Sequence, residues 1–167
     1  MSTTGPGAGH QRVPPAPLRT ATVDGLAVTR RRPETPAAGV VIVHGAMDRA
    51  ATFSRVMRRL GEFDVVAYDR RGYAGSRTSG TVRAGPIRSG RFGCNRCSSD
   101  VHDPLCGHAR DLLTVVEWVS EQDPDLPRLV VGHSLGALIA LVAAATPCGP
   151  ASGDGDIPDP ATVLLGA

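Results

Sequence analysis

An apolar run, Leu129-Val130-Val131, leads directly into Gly132-His133-Ser134-Leu135-Gly136, and a stretch of small residues at 137–145 follows at once. The first reads as a buried strand and the last as a helix, stopped by Pro147. A strand that turns this sharply into a helix holds its central residue in a strained backbone conformation. Side chains two positions before and after would collide, so glycine at 132 and 136 answers a steric demand. The Ser134 hydroxyl then stands above the sheet at a helix N-terminus, where the Leu135 N–H can face a developing oxyanion. In a chain with 20 glycines the pentad alone carries little weight. The strand before it and the helix after it supply the constraint. The plainer alternative is a serine that only caps a helix after a glycine turn.

The rest of the chain alternates in the same way. Arg19–Val23 and residues 26–30, split by Asp24-Gly25, predict a hairpin, because Asp-Gly favours a two-residue turn. Val40-Val41-Ile42-Val43 is an unbroken β-branched run, the pattern of a strand covered on both faces. Phe53, Val56, Met57 and Leu60 then fall on one helical stripe, with Gly61 placed to end it. Residues 63–68 predict another strand. Ala109, Leu112, Leu113, Val116 and Val119 form a second helical stripe through 108–120, and Ala161–Leu165 reads as a last strand. Strands alternating with helices predict a mostly parallel α/β sheet with helices on both faces, and sites in such sheets lie beyond the carboxyl ends of the strands.

Composition narrows the function class. The length of 167 residues suits one domain, and 41% hydrophobic with 20% charged residues excludes collagen-like and wholly disordered chains. A net charge of +2 gives no nucleic-acid footprint, and no apolar stretch approaches a membrane span. All 18 basic residues are arginine. Residues 1–18, rich in proline and glycine, read as a disordered leader without the apolar core of a signal peptide. The expected location is cytoplasmic, with Cys94, Cys97, Cys106 and Cys148 as thiols or metal ligands rather than disulfides.

A second turn belongs with the first. The 40–43 strand ends in His44-Gly45-Ala46-Met47, which can offer the Ala46 N–H on the same edge of the sheet as Ser134. Together with Tyr68-Asp69-Arg70-Arg71-Gly72-Tyr73-Ala74-Gly75-Ser76 and Val130-Val131-Gly132-His133-Ser134-Leu135-Gly136-Ala137, in that order, it resembles the α/β-hydrolase family. The resemblance covers roughly residues 20–76 and 108–167. It implies Ser134 as nucleophile, the N–H groups of Ala46 and Leu135 as oxyanion hole, and Gly132 and Gly136 as the glycines of the nucleophile turn. One departure is Ala74, where the family usually has glycine. Serine at the nucleophile position also separates this chain from the dehalogenases and epoxide hydrolases of the fold, which carry aspartate there. The implied chemistry is acyl transfer to water, on an ester, thioester or amide, or cleavage of a carbon–carbon bond, with a small-molecule acyl substrate and no cofactor.

In the family the triad acid and histidine follow the serine. Here Asp154, Asp156 and Asp159 follow, in a Gly- and Pro-rich loop, and no histidine does. His133 sits beside Ser134 in a tight turn and is expected to point away, and His44 to fix its own loop. His102 and His108 have nothing to recommend them. The expectation is therefore the N-terminal portion of a serine hydrolase, ending after the strand that follows the nucleophile helix. The competing reading is an inactive remnant or a binding module. A sheet cut at that point is expected to self-associate through its uncovered face and open edge.

Residues 77–107 show no clear period and form an irregular insert within a partial domain spanning 19–167. Cys94, Cys97, His102 and Cys106 carry the ligand types of a zinc knuckle at nearly its spacing. Two other readings, a variable cap loop and a stretch translated out of frame, carry more weight, so no metal is assigned. A zinc-stabilised nucleic-acid binder is the third function class, and the small net charge counts against it.

Overall fold

A computed structural model describes residues 16–76, 104–145 and 161–165. Among the described residues six strands form one sheet: β1 (Arg19–Val23), β2 (Leu26–Arg31), β3 (Gly39–Val43), β4 (Asp64–Tyr68), β5 (Arg128–His133) and β6 (Ala161–Leu165). Their spatial order is β1-β2-β4-β3-β5-β6. The first two pairings are antiparallel, and β4, β3, β5 and β6 run parallel, as the alternating pattern predicts. The β1–β2 turn has positive φ at both Asp24 (47°) and Gly25 (78°), the type I′ geometry that Asp-Gly favours.

The β-branched run of β3 is buried throughout because alternate residues feed two cores. Val41 and Val43, with Val66 and Tyr68 of β4, pack under helices α2 (Pro104–Gln122) and α3 (Leu135–Ala145). Val40 and Ile42, with Val65 and Ala67, pack on the other face against α1 (Ser54–Arg59) and the 3₁₀ turn Ala50–Phe53 before it. Helices thus cover both faces.

The α1 stripe is narrower than its periodicity suggests. Met57 is fully buried, Phe53 and Leu60 are half-buried, and Val56 is 46% exposed. The cause is length: a helix of six residues turns less than twice, so one residue points squarely inward. Complete burial of a methionine side chain contributes about 1.5–3 kcal/mol. Arg31 of β2 reaches the last turn of α1 and donates Nη1–H to the carbonyls of Leu60 (3.3 Å) and Gly61 (3.0 Å), so an arginine from the sheet satisfies that end.

Two further boundaries move. Helix α2 begins at Pro104, four residues inside the stretch read as insert, and carries Cys106. Leu18, assigned to the leader, is partly buried against the α1-side core. Cys94, Cys97 and His102, the rest of the insert, and Asp154, Asp156 and Asp159 lie outside the described residues. Among the described residues no cluster of metal-ligating side chains forms, and no helix is long and apolar enough to cross a membrane.

Candidate functional site

Ser134 occupies the single residue between β5 and α3, with φ +52°, and is exposed. Left-handed backbone is costly for any residue with a Cβ, so the tight turn imposes it. The flanking glycines show why the turn admits little else. A Cβ on Gly132 would stand 2.5 Å from the Ala137 nitrogen, and one on Gly136 would stand 2.7 Å from the Val43 carbonyl carbon. Both separations lie below any tolerable contact. The Ser134 carbonyl accepts the Ala137 N–H at 2.9 Å, so the helix starts on the serine itself.

The turn after β3 lies against this serine. A Cβ built on Gly45 would meet the Ser134 Cβ at 3.0 Å and the His133 Nδ1 at 3.2 Å. Parallel pairing of β3 with β5, Val43 opposite Gly132, places the two turns side by side. Ala46 is exposed, and among the described residues no acceptor engages its N–H. Leu135 is the first residue of α3, where helix N–H groups have no intrahelical partner. Ser134, Ala46, Leu135, Gly132 and Gly136 are therefore all gathered at one sheet edge. Met47, next along, has φ +56° and is 95% exposed, so a thioether stands in solvent at the rim.

The histidines divide by their partners. His44 is buried; its Nε2 accepts the Arg70 N–H at 2.9 Å, so its proton sits on Nδ1 and is donated to the Gly45 carbonyl at 2.8 Å. Burial first, and the nearby Arg70 cation, hold its pKa below the usual range, outweighing the Gly45 hydrogen bond and the carboxylates of Asp48 and Asp69. With both nitrogens occupied, it fixes its loop, as expected. His133 lies edge-on to Phe53 at 6.1 Å, and its Nδ1 is 3.9 Å from the Asp48 carboxylate, too far for a hydrogen bond. Burial pushes the Asp48 carboxyl up, but hydrogen bonds from Thr52 and the Arg49 N–H, with His44 and His133 nearby, leave it below its ordinary value. His108, on α2, has its pKa lowered by burial and by Arg70 despite Asp111.

The turn after β4 holds what the residue pattern did not announce. Arg70 is 1% exposed, donates Nη2–H to the Gly45 carbonyl at 2.8 Å, and lies 4.4 Å over the Tyr73 ring. Asp69 accepts the Ala50 N–H (2.8 Å) and the Gly75 N–H (2.9 Å), fastening this turn to the one after β3. Ala74 has φ +35°, which explains why glycine is usual there. The sequence signal for Arg70 was an arginine two residues past a buried strand, inside a turn that its neighbours show to be tight.

Residues 34–153 match the family described as serine aminopeptidase, S33. Among solved structures, the chain is similar to a carboxyl esterase from Bacillus coagulans, with TM-score 0.60 and 23% identity over 91% of this chain and 44% of that one. A lipase in its open form gives TM-score 0.60 and 22% identity, covering 89% of this chain and 44% of the lipase. Epoxide hydrolase A from Mycobacterium thermoresistibile gives 0.53 and 19%, covering 90% and 38%. The chain thus spans less than half the length of these structures. No protein of curated function matches it.

Proposed function

The chain belongs to the serine aminopeptidase S33 family of α/β-hydrolases, and from that premise we propose that it is a serine hydrolase acting through an acyl-enzyme. One observation carries the reading: an exposed Ser134 held at φ +52° beside the Gly45 turn, a strain that a purely capping serine has no need of. Ser134 Oγ attacks a substrate carbonyl as a base removes its proton. The carbonyl oxygen becomes an oxyanion against the N–H groups of Ala46 and Leu135, and its collapse expels the protonated leaving group. Water then attacks the acyl-enzyme and frees the acid and Ser134. The ester, thioester or amide class follows from serine at this turn, where the epoxide-opening members of the fold use aspartate.

His44 does not serve as the base, because both its ring nitrogens are taken. A fluorophosphonate probe tests the reading: its phosphorus bonds to Ser134 Oγ and fluoride leaves. Labelling is expected at Ser134 and absent in Ser134→Ala. Wild-type protein that resists the probe while folded identifies the competing non-catalytic reading.

A further inference from the structure

The Gly45 carbonyl accepts two hydrogen bonds, from His44 Nδ1 at 2.8 Å and from Arg70 Nη2 at 2.8 Å. That carbonyl and the Ala46 N–H belong to one planar peptide group. Whatever fixes the direction of the C=O fixes the N–H, which points the opposite way. We propose that Arg70 is a positioning residue for acyl transfer: with His44 it clamps the Gly45–Ala46 peptide so that the Ala46 N–H meets the oxyanion formed on Ser134. This rests on the acyl-enzyme reading above.

Three observations single out Arg70 rather than the loop in general. Its guanidinium is buried, and among the described residues no carboxylate forms an ion pair with it. A buried cation without a paired anion is expensive, so a fold that keeps one gains something from where it points. Here it points at the Gly45 carbonyl. Arg70 also engages the clamp twice, since its backbone N–H donates to His44 Nε2 while its side chain reaches Gly45. Finally, the ring of Tyr73 lies under the guanidinium at 4.4 Å and edge-on to His44 at 5.2 Å, which immobilises both. A cation on the carbonyl end of a peptide also polarises it, making the N–H a stronger donor where negative charge develops.

The test is the saturating rate of fluorophosphonate labelling in Arg70→Met, which keeps much of the stem but removes donor and charge, and in Arg70→Lys. In folded Arg70→Met the maximal labelling rate is expected to fall about 10- to 100-fold, the scale of a catalytic group displaced by an ångström, with the half-saturating probe concentration unchanged. Arg70→Lys, which restores a donor without the planar fork, recovers part of the rate. A merely structural role would lower the melting temperature and leave the rate of the folded fraction alone; that result overturns the proposal. The Ala46 amide reads the clamp without chemistry. Its ¹H and ¹⁵N resonances are expected to move in Arg70→Lys, the milder variant, and its hydrogen exchange to quicken. Resonances and exchange unchanged from wild type overturn the proposal even where Arg70→Met does not fold. If wild-type protein fails to label while the Ala46 amide responds to Arg70→Lys, the acyl-enzyme reading fails and the clamp stands.

Discussion

Gly136 rests on the backbone of Val43: a Cβ added to it would stand 2.7 Å from the Val43 carbonyl carbon. This contact seats the first turn of α3 on the end of β3, and so brings Ser134 to the turn that carries Ala46. Gly136→Ala must push helix and strand apart. It is expected to lose about 2 kcal/mol of stability, a typical cost of overpacking, and to abolish probe labelling in whatever remains folded. Urea unfolding measures the first and labelling of the folded fraction the second; a fully stable, reactive variant would contradict both.

Ser134 stores strain for its position. Ser134→Gly removes the Cβ from a left-handed backbone and should raise stability over Ser134→Ala by about 1 kcal/mol. An ordinary helix cap also ranks glycine above alanine, but there Ser→Gly costs a few tenths of a kcal/mol, so strain shows as Ser134→Gly at or above wild-type stability. Urea midpoints of wild type and the two variants decide it, and neither variant should label.

Asp64 is fully buried and receives Arg30 through Nε (2.8 Å) and Nη2 (2.6 Å), and Arg32 through Nη1 (3.0 Å). Asp64→Asn leaves Arg30 without its counter-charge beside Arg32, which keeps Asp123 at 2.6 Å. Because both arginines keep some access to water, the loss should be about 2 kcal/mol rather than the larger value of a sealed pair. A chemical-denaturation difference below about 0.5 kcal/mol would show that the arginines simply swing into solvent.

Stability should fall on mild acidification. His44 faces Arg70, Asp69, Asp48 and Tyr73; His108 faces Arg70, Arg71, Asp111 and His44. Burial lowers both imidazole pKa values, so the folded protein resists protons that the unfolded chain accepts near pH 6.5. The unfolded state then binds more protons, and unfolding free energy drops as pH falls below that value. It is level above pH 7. The depressed Asp48 carboxyl acts in the same direction, but only below its usual value of 3.8. Urea midpoints between pH 8 and pH 5 test this, and a flat profile would mean that neither imidazole stays neutral in the fold.

Much of the fold was legible because its signals are local. The Asp24-Gly25 turn, the unbroken run at 40–43 and the glycines at 132 and 136 each state a backbone requirement within a few residues. The α1 stripe misled at Val56 because periodicity reports a direction, not how much protein waits in that direction. The start of α2 was hidden because Pro104 to Gly107 carry no apolar period of their own, and the helix gains its stability from packing further along.

The linear chain therefore determined a serine on a constrained turn, the β-branched strands and the order in which they occur, since sterics and hydrophobic pattern act over neighbouring residues. The tertiary structure alone decided that Gly45 would lie against Ser134, that both nitrogens of His44 would be occupied, and that Arg70 would be buried with its guanidinium on the Gly45 carbonyl. Those relationships depend on parallel pairing of β3 with β4 and β5, which joins residues far apart in sequence. No local pattern encodes which carbonyl a long, flexible arginine will reach.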